Sequence, residues 1–214
     1  VRLLPVRPDG RRVPALRILP VTMVGYLGNA VLPARLGEPI RAYLISRRER
    51  LPFGGAAGSV VLERIVDTAT LAVLAFIAAA SLGSAAWLVQ GTAIAAAAAI
   101  VIVVVLATIG LAPLLPLARA VIGRLPIGGR RDTLVRTAEH FVASSGGSHR
   151  RPAVLVAAAL SLGAWLSDAV VFWLVGEALG IGLTPLGAVL VMAVTVLATA
   201  IPSAPGYLGT FELA

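Results

Sequence analysis

The chain contains no cysteine, which excludes a disulfide framework and a thiolate metal site. Its 2 histidines, His140 and His149, are too few for a zinc site, so we expect no metal and no other cofactor. We also find no nucleophile-elbow serine, no phosphate-cradling loop and no Ser/His/Asp ordering. These absences argue against catalysis by this chain alone.

Charge is scarce as well, since only 13% of the 214 residues are charged and 58% are hydrophobic. The mean hydropathy of +0.95 is far above that of an ordinary globular domain. Apolar runs of about 20 residues predict an all-α, polytopic transmembrane helical bundle and not a barrel of short alternating strands. We expect a single multi-pass domain over 1–214 in the cytoplasmic membrane, as an internal piece of a longer chain.

All 18 basic residues are arginines, and most of them flank apolar runs. The positive-inside rule then predicts that 1–17 and the polar loop 114–151 lie in the cytoplasm. Between them, 51–59 is predicted to be a turn because of its proline and glycines, and 60–82 and 93–112 are predicted to span. Within the polar loop, the apolar stripe of 132–143 predicts an amphipathic helix lying on anionic headgroups.

The apolar run 18–33 has only 16 residues and contains Pro20, Gly25 and Gly28. Because both of its flanks are basic, we expect both ends on the cytoplasmic face, which makes the run a re-entrant segment. A full crossing with basic residues on both sides stays open as the alternative.

A second interrupted segment follows the predicted span at 153–176. It begins at Pro185 with 17 apolar residues and is broken by two prolines and two glycines between 202 and 209. Paired interrupted segments in two halves of a chain are a sequence pointer to a transporter-like site. We expect the two segments to converge, although ordinary interhelical turns would give the same composition.

Charged residues inside the predicted spans form a further pattern. At 100° per residue, Glu63 and Asp67 lie about 40° apart on one helical face, and Arg64 lies within about 60° of Asp67. Asp168 stands near the middle of a span, and since a carboxylate facing lipid is costly, we expect it to face the bundle interior. An internal ion pair that only fixes helix packing is the alternative for Glu63, Arg64 and Asp67.

Three motifs occur in order: Asn29 with PARLGE at 33–38 and Arg41, then Glu63-Arg64 with Asp67, then PGYLGTFE at 205–212. Together they resemble the membrane domain of the lysylphosphatidylglycerol synthase/flippase-like family. The resemblance implies a lipid-translocating domain in a bacterial or archaeal cytoplasmic membrane. Some relatives carry a fused soluble aminoacyl-transferase domain, which these residues do not contain, and we expect the family's earlier and later membrane helices to lie outside them.

The candidate substrate-binding residues are Asn29, Arg35, Glu38, Arg41, Glu63, Arg64, Asp67, Asp168, Gly206, Gly209 and Glu212. We expect Arg35, Arg41 and Arg64 to contact a phosphate through their planar guanidinium forks. The carboxylates would either hold those arginines in place or meet a cationic headgroup such as an aminoacylated glycerol. Asn29 would supply neutral hydrogen bonds.

These residues favour a domain that translocates or binds an anionic or aminoacylated phospholipid. Two alternatives stay open: the membrane portion of a lipid aminoacyl- or glycosyl-transferase, and a secondary transporter for a small anionic solute. We expect membrane phospholipid as the partner, while assembly into a homo-oligomer stays open. Nucleic-acid binding is disfavoured despite the net charge of +8, because the arginines are spread through membrane-flanking segments.

Overall fold

The computed structural model describes residues 13–32, 36–124, 131–144 and 151–198, and its regular structure in these ranges is entirely helical. The helices are α1 (Ala15–Val31), α2 (Gly37–Glu49), α3 (Phe53–Ser81), α4 (Ala86–Thr108), α5 (Leu115–Arg124), α6 (Arg131–Ser144), α7 (Arg151–Ala178) and α8 (Pro185–Ala198). A short 3-10 turn at Ala112–Leu114 joins α4 to α5. The all-α prediction is confirmed for this part of the chain.

Helix α3 occupies the centre of the fold, where it packs against α2, α4, α6, α7 and α8. Its buried positions are rich in small side chains, which let neighbouring backbones approach closely. The fully or nearly fully buried alanines of α3 are Ala56, Ala69, Ala72, Ala75, Ala78 and Ala79. This composition lets one helix have five neighbours.

Three apolar clusters follow one another along α3. The first joins its start to α1 and α2 around Ile45 and Val60. The second joins its middle to α4 and α7 around Leu62 and Val66, and the third joins its later turns to α7 and α8 around Met192. The core is therefore arranged in sequence along a single central helix.

Helices α1 and α2 form a tight hairpin whose contact is made by glycines. A side-chain carbon added at Gly28 would lie 2.9 Å from the Gly37 Cα, and one added at Gly25 would lie 3.1 Å from the Arg41 Cβ. The predicted interruption at Pro20, Gly25 and Gly28 is wrong, because α1 continues through all three. The chain reverses after α1, as a re-entrant segment requires, but the position of the hairpin in the membrane stays a prediction.

The prediction of a turn over 51–59 is also wrong for most of these residues. Helix α3 begins at Phe53, so the following glycines are helical. Gly54 lies directly against the backbone of α6, where an added side-chain carbon would overlap the Thr137 carbonyl oxygen and lie 3.0 Å from the Phe141 nitrogen. The glycine is explained by this close helix contact and not by a turn conformation.

The predicted loop 114–151 contains two helices, α5 and α6, which Arg119 and Glu139 connect through an ion pair of 2.6 Å. Helix α6 matches the predicted amphipathic segment, and its partly buried face packs against α3. Its apolar side therefore has a protein neighbour. Contact of α6 with lipid headgroups, and the cytoplasmic position of this region, stay predictions.

Among the described residues, α4 and the 152–178 part of α7 are long and apolar enough to cross a membrane. Helices α1 and α8 are apolar over shorter lengths, and the 29-residue α3 carries Glu63, Arg64 and Asp67. The described residues thus contain fewer candidate spans than the number of membrane helices predicted from the apolar runs. The multi-pass arrangement of the remaining helices thus stays a prediction.

Candidate functional site

Six of the predicted site residues meet where α1, α2 and α3 come together. We call this group the polar cluster; its members are Asn29, Glu38, Arg41, Glu63, Arg64 and Asp67. Glu38 and Arg41 lie near the start of α2, while the last three members lie in the middle of α3. The charged face predicted on α3 is therefore met by charges from a different helix.

Arg41 and Glu63 form a two-pronged ion pair between α2 and α3. The two terminal nitrogens of Arg41 donate to Oε1 and Oε2 of Glu63 over 2.9 and 2.8 Å. The Arg41 side chain is only 7% exposed, whereas that of Glu63 is 33% exposed. Such parallel hydrogen bonds fix both position and orientation, so Arg41 holds Glu63 at the edge of the cavity described below.

Arg64 lies among three carboxylates. Its Nε is 3.0 Å from Glu38 Oε1, although the N–H is not aligned for a hydrogen bond, and its Nη1 donates to Asp67 Oδ2 over 3.5 Å. A terminal nitrogen is also 4.0 Å from Glu63 Oε1. Only the Asp67 contact was predictable from helical spacing; the contact with Glu38 crosses from α3 to α2.

A seventh residue, Ser161, joins the group from α7. Its hydroxyl donates a short hydrogen bond to Asp67 Oδ1 across 94 residues of sequence. The other oxygen of Asp67 faces Arg64, so this carboxylate connects α3 to α7. Ser161 was not among the predicted site residues, because a single serine in an apolar helix gives no sequence signal.

The cluster retains unused hydrogen-bonding capacity and an excess of negative charge. Asn29 donates to Glu38 Oε1 over 3.4 Å, but Asn29 Oδ1 and Glu38 Oε2 are buried without a hydrogen-bond partner. Buried polar atoms without partners are costly, and they are the atoms that a ligand can satisfy. Three carboxylates face two guanidinium groups here, which leaves one negative charge uncompensated within the cluster.

A cavity of about 370 Å³ opens beside these side chains, between α1, α3 and α7. We call it the polar cavity. Its lining combines the charged groups with apolar side chains and is made by Leu19, Thr22, Tyr26, Arg41, Glu63, Arg64, Val66, Asp67, Ala157, Leu160 and Ser161. Tyr26 and Thr22 were not predicted, although both lie on α1 within two turns of Asn29.

An apolar groove of about 420 Å³ lies next to the polar cavity, between α3, α4 and α7. Val66 lines both spaces, and the α7 residues Ala157 and Ser161 of the cavity are followed directly by groove residues Ala158 and Leu162. Along α3 the groove continues from Thr70 and Val73 to Leu74 and Ile77. One charged space and one hydrocarbon-lined space therefore adjoin at Val66.

The remaining predicted residues are not brought into the cluster. Asp168 lies on an exposed face of α7, one residue before the buried Ala169, so the expectation that it faces the bundle interior is wrong for the described chain. Arg35, Gly206, Gly209 and Glu212 lie outside the described residues, and with them the convergence of the second interrupted segment. In the described ranges, no set of three or more acidic or histidine side chains is arranged to hold a metal ion.

A family model described as "Lysylphosphatidylglycerol synthase TM region" matches residues 3–214. The chain belongs to this family. The lysylphosphatidylglycerol synthase transmembrane region is a membrane domain, which agrees with the composition and with α4 and α7. The family resemblance inferred from the three ordered motifs is thereby confirmed.

One curated relative of the domain is glycosyltransferase AglD of Haloferax volcanii. It is 28% identical over 239 residues, an alignment that covers 98% of this chain and 38% of the relative. The chain thus spans less than half the length of that relative. No solved structure matches the present chain.

Proposed function

We propose that this domain binds the headgroup of an amine-bearing phospholipid in the polar cavity and moves it across the membrane. The position of the polar cavity beside the apolar groove, with Val66 lining both, supports the proposal, because a phospholipid likewise joins a charged headgroup directly to hydrocarbon. A soluble anion would occupy the polar cavity and leave the apolar groove without a role. Membership of a membrane family that is named for a lipid synthase supports the same substrate class.

The charges favour an amine over a phosphate as the group that enters most deeply. Arg41 is nearly buried and both of its terminal nitrogens already donate to Glu63, so a phosphate would compete with the Glu63 carboxylate for the same guanidinium. An ammonium group, in contrast, would neutralise the excess negative charge and donate to Glu63 or Asp67, the two carboxylates that line the polar cavity. Arg41 is thus proposed to position Glu63, in place of the phosphate contact expected from the sequence.

Arg64 remains the best candidate for the phosphate. Its side chain is 31% exposed and lines the polar cavity, and none of its contacts is a two-pronged pair like that of Arg41. The phosphate of a phospholipid lies a few bonds from its amine, so one headgroup can meet Arg64 and a carboxylate together. Arg64 and the carboxylates then have complementary roles in one site.

A second function follows from the relative's printed name, which is that of a glycosyltransferase. In that alternative, the cavity and groove hold a lipid for a catalytic domain elsewhere in a longer protein, and no lipid crosses the membrane. The two functions share the binding step and differ only in transport. A transport assay with binding measured in parallel distinguishes them.

Glu38→Gln and Asp67→Asn are each expected to lower binding of an aminoacylated phosphatidylglycerol by about 10-fold, and Arg64→Ala by at least as much. The expectation rests on one charged hydrogen bond of about 1.5 kcal/mol. Binding of a fluorescent lipid to protein in detergent is measured first. Exposure of the same lipid on the far leaflet of reconstituted vesicles is measured second, with insertion checked by protease protection.

Asp132→Asn is the matched control, because it removes one exposed carboxylate from α6, away from the polar cavity. It should leave both readouts unchanged. Unaltered binding in Glu38→Gln, Asp67→Asn and Arg64→Ala would contradict the proposed site. Loss of binding in these variants, with a wild-type protein that moves no lipid, would favour the transferase alternative.

A further inference from the structure

A second cavity, with two arginines in its lining, lies at the corner where α2 ends and α3 begins. It has a volume of about 590 Å³ and is lined by Tyr43, Ser46, Arg47, Arg50, Leu51 and Phe53. We call it the corner pocket. Arg47 stands six residues after Arg41 on the same helix, or roughly 9 Å along its axis, so the pocket is separate from the polar cluster.

The corner pocket contains two guanidinium groups that no carboxylate of the described residues neutralises. In the parts of the chain that the structure describes, neither Arg47 nor Arg50 has an acidic side chain within ion-pair distance. Glu49 lies between them in sequence but is buried and does not line the pocket. The carboxyl end of α2 adds only about half a negative charge, which two guanidinium groups exceed.

Arg47 is held in position before any ligand binds. Its Nε donates to the Tyr43 hydroxyl over 3.2 Å, and its guanidinium carbon lies 5.4 Å from the centre of the Tyr43 ring. The two residues are four apart on α2, so the contact follows from helical spacing. The terminal nitrogens of Arg47 are left to bind a further acceptor.

Arg50 has an unusual backbone conformation for its residue type. It closes α2 in the left-handed region, with φ 53° and ψ 43°, where glycine is the common residue. The turn itself does not need a side chain, because it is fixed by backbone contacts and by the Ser46 hydroxyl, which donates to the Leu51 carbonyl over 2.7 Å. An arginine kept in a strained conformation therefore points to a use for its side chain.

From the unpaired charges, the fixed Arg47 and the strained Arg50, we propose that the corner pocket binds a phosphate group. Two guanidinium groups can together offer several N–H donors to one tetrahedral anion. The phosphate can belong to an anionic lipid headgroup or be free in solution, because either source presents the same oxygen acceptors to Arg47 and Arg50. This site does not depend on the function proposed for the polar cavity.

The test uses the full-length protein purified in a neutral detergent. Binding of inorganic phosphate and of a short-chain phosphatidylglycerol is measured by calorimetry. The Arg47→Gln/Arg50→Gln double variant should weaken binding about 100-fold, since each charged hydrogen bond contributes about a factor of 10. Saturation by inorganic phosphate would assign a free phosphate as ligand, and binding of the lipid alone would assign a headgroup.

Two further variants separate ligand binding from structure. Arg50→Gly removes the guanidinium and also relieves the left-handed strain, so it should weaken binding while the thermal midpoint stays equal or rises. Arg48→Gln removes an exposed arginine of α2 that does not line the pocket, and it should bind like the wild type. Wild-type binding in the double variant or in Arg50→Gly, equal losses in Arg48→Gln, or no binding of either probe would overturn the proposal.

Discussion

Gly37→Ala is expected to lower the free energy of unfolding by about 3 kcal/mol or more, which is the upper range for overpacking of a close-packed contact. An added side-chain carbon would overlap the Gly25 carbonyl oxygen and lie 2.6 Å from the Asn29 backbone nitrogen. These neighbours belong to the backbone of α1 and cannot rotate away. The hairpin of α1 and α2 must therefore open, which also displaces Glu38 and Arg41 from α3.

The measurement is the unfolding midpoint of the detergent-solubilised protein, followed by tryptophan fluorescence. Gly91→Ala is the matched control, since Gly91 is a helical glycine of α4 with no atom within 4 Å of an added side-chain carbon. Alanine is favoured over glycine in a helix by about 0.5–1 kcal/mol, so this control should be neutral or stabilising. Equal effects of the two substitutions would show that the hairpin contact is not close.

The second large effect is expected at the ion pair between Arg41 and Glu63, and it should be asymmetric. Glu63→Met leaves the nearly buried Arg41 without its partner and should cost about 3 kcal/mol, the lower end for a broken buried pair. Arg41→Met should cost less, because Glu63 is one-third exposed and keeps Arg64 at 4.0 Å. The loss of stability is therefore expected to be larger when the nearly buried Arg41 is left unpaired than when the more exposed Glu63 is.

A double-variant cycle tests this asymmetry. Arg41→Met combined with Glu63→Met removes both charges and keeps apolar volume, so it should be within about 1 kcal/mol of the wild type. The coupling between the positions is then about 2 kcal/mol or more. Additive single effects, or a costlier Arg41→Met, would contradict the role given to this pair.

The polar cluster shows which parts of a site helical spacing can predict. Glu63, Arg64 and Asp67 share a face because a fixed rotation of 100° per residue relates them. Their partners Glu38 and Ser161 come from other helices, and no periodic relation connects these residues to α3. The ordered motifs still placed Glu38 among the candidates, whereas nothing in the sequence marked Ser161.

Glycine was the main source of error in the predicted fold. The residues around Gly54 were predicted to form a turn, and Gly25 and Gly28 to interrupt α1, because glycine is common where helices end. In the structure these residues are helical and lie where another backbone approaches closely. Sequence composition cannot separate the two uses, since both depend on the missing side chain.

Asp168 illustrates a different limit. The expectation that it faces inward came from the cost of placing a carboxylate against lipid. Helix rotation is set by the neighbours, and here Trp165, Ala169 and Phe172 face the core shared with α3 and α8. Asp168 lies at the exposed edge of this face, about 40° around the helix from Phe172 and about 100° from the buried Ala169.

The order of the polar contacts along the chain has a consequence for biosynthesis. Glu38 and Arg41 are translated before Glu63 and Arg64, so most charges of α3 meet their partners as soon as that helix emerges. The Ser161 hydroxyl follows Asp67 by 94 residues, which corresponds to about 5–20 s of translation. The early charges are thus paired between the consecutive helices α2 and α3, and the nascent chain completes the cluster only when α7 is made.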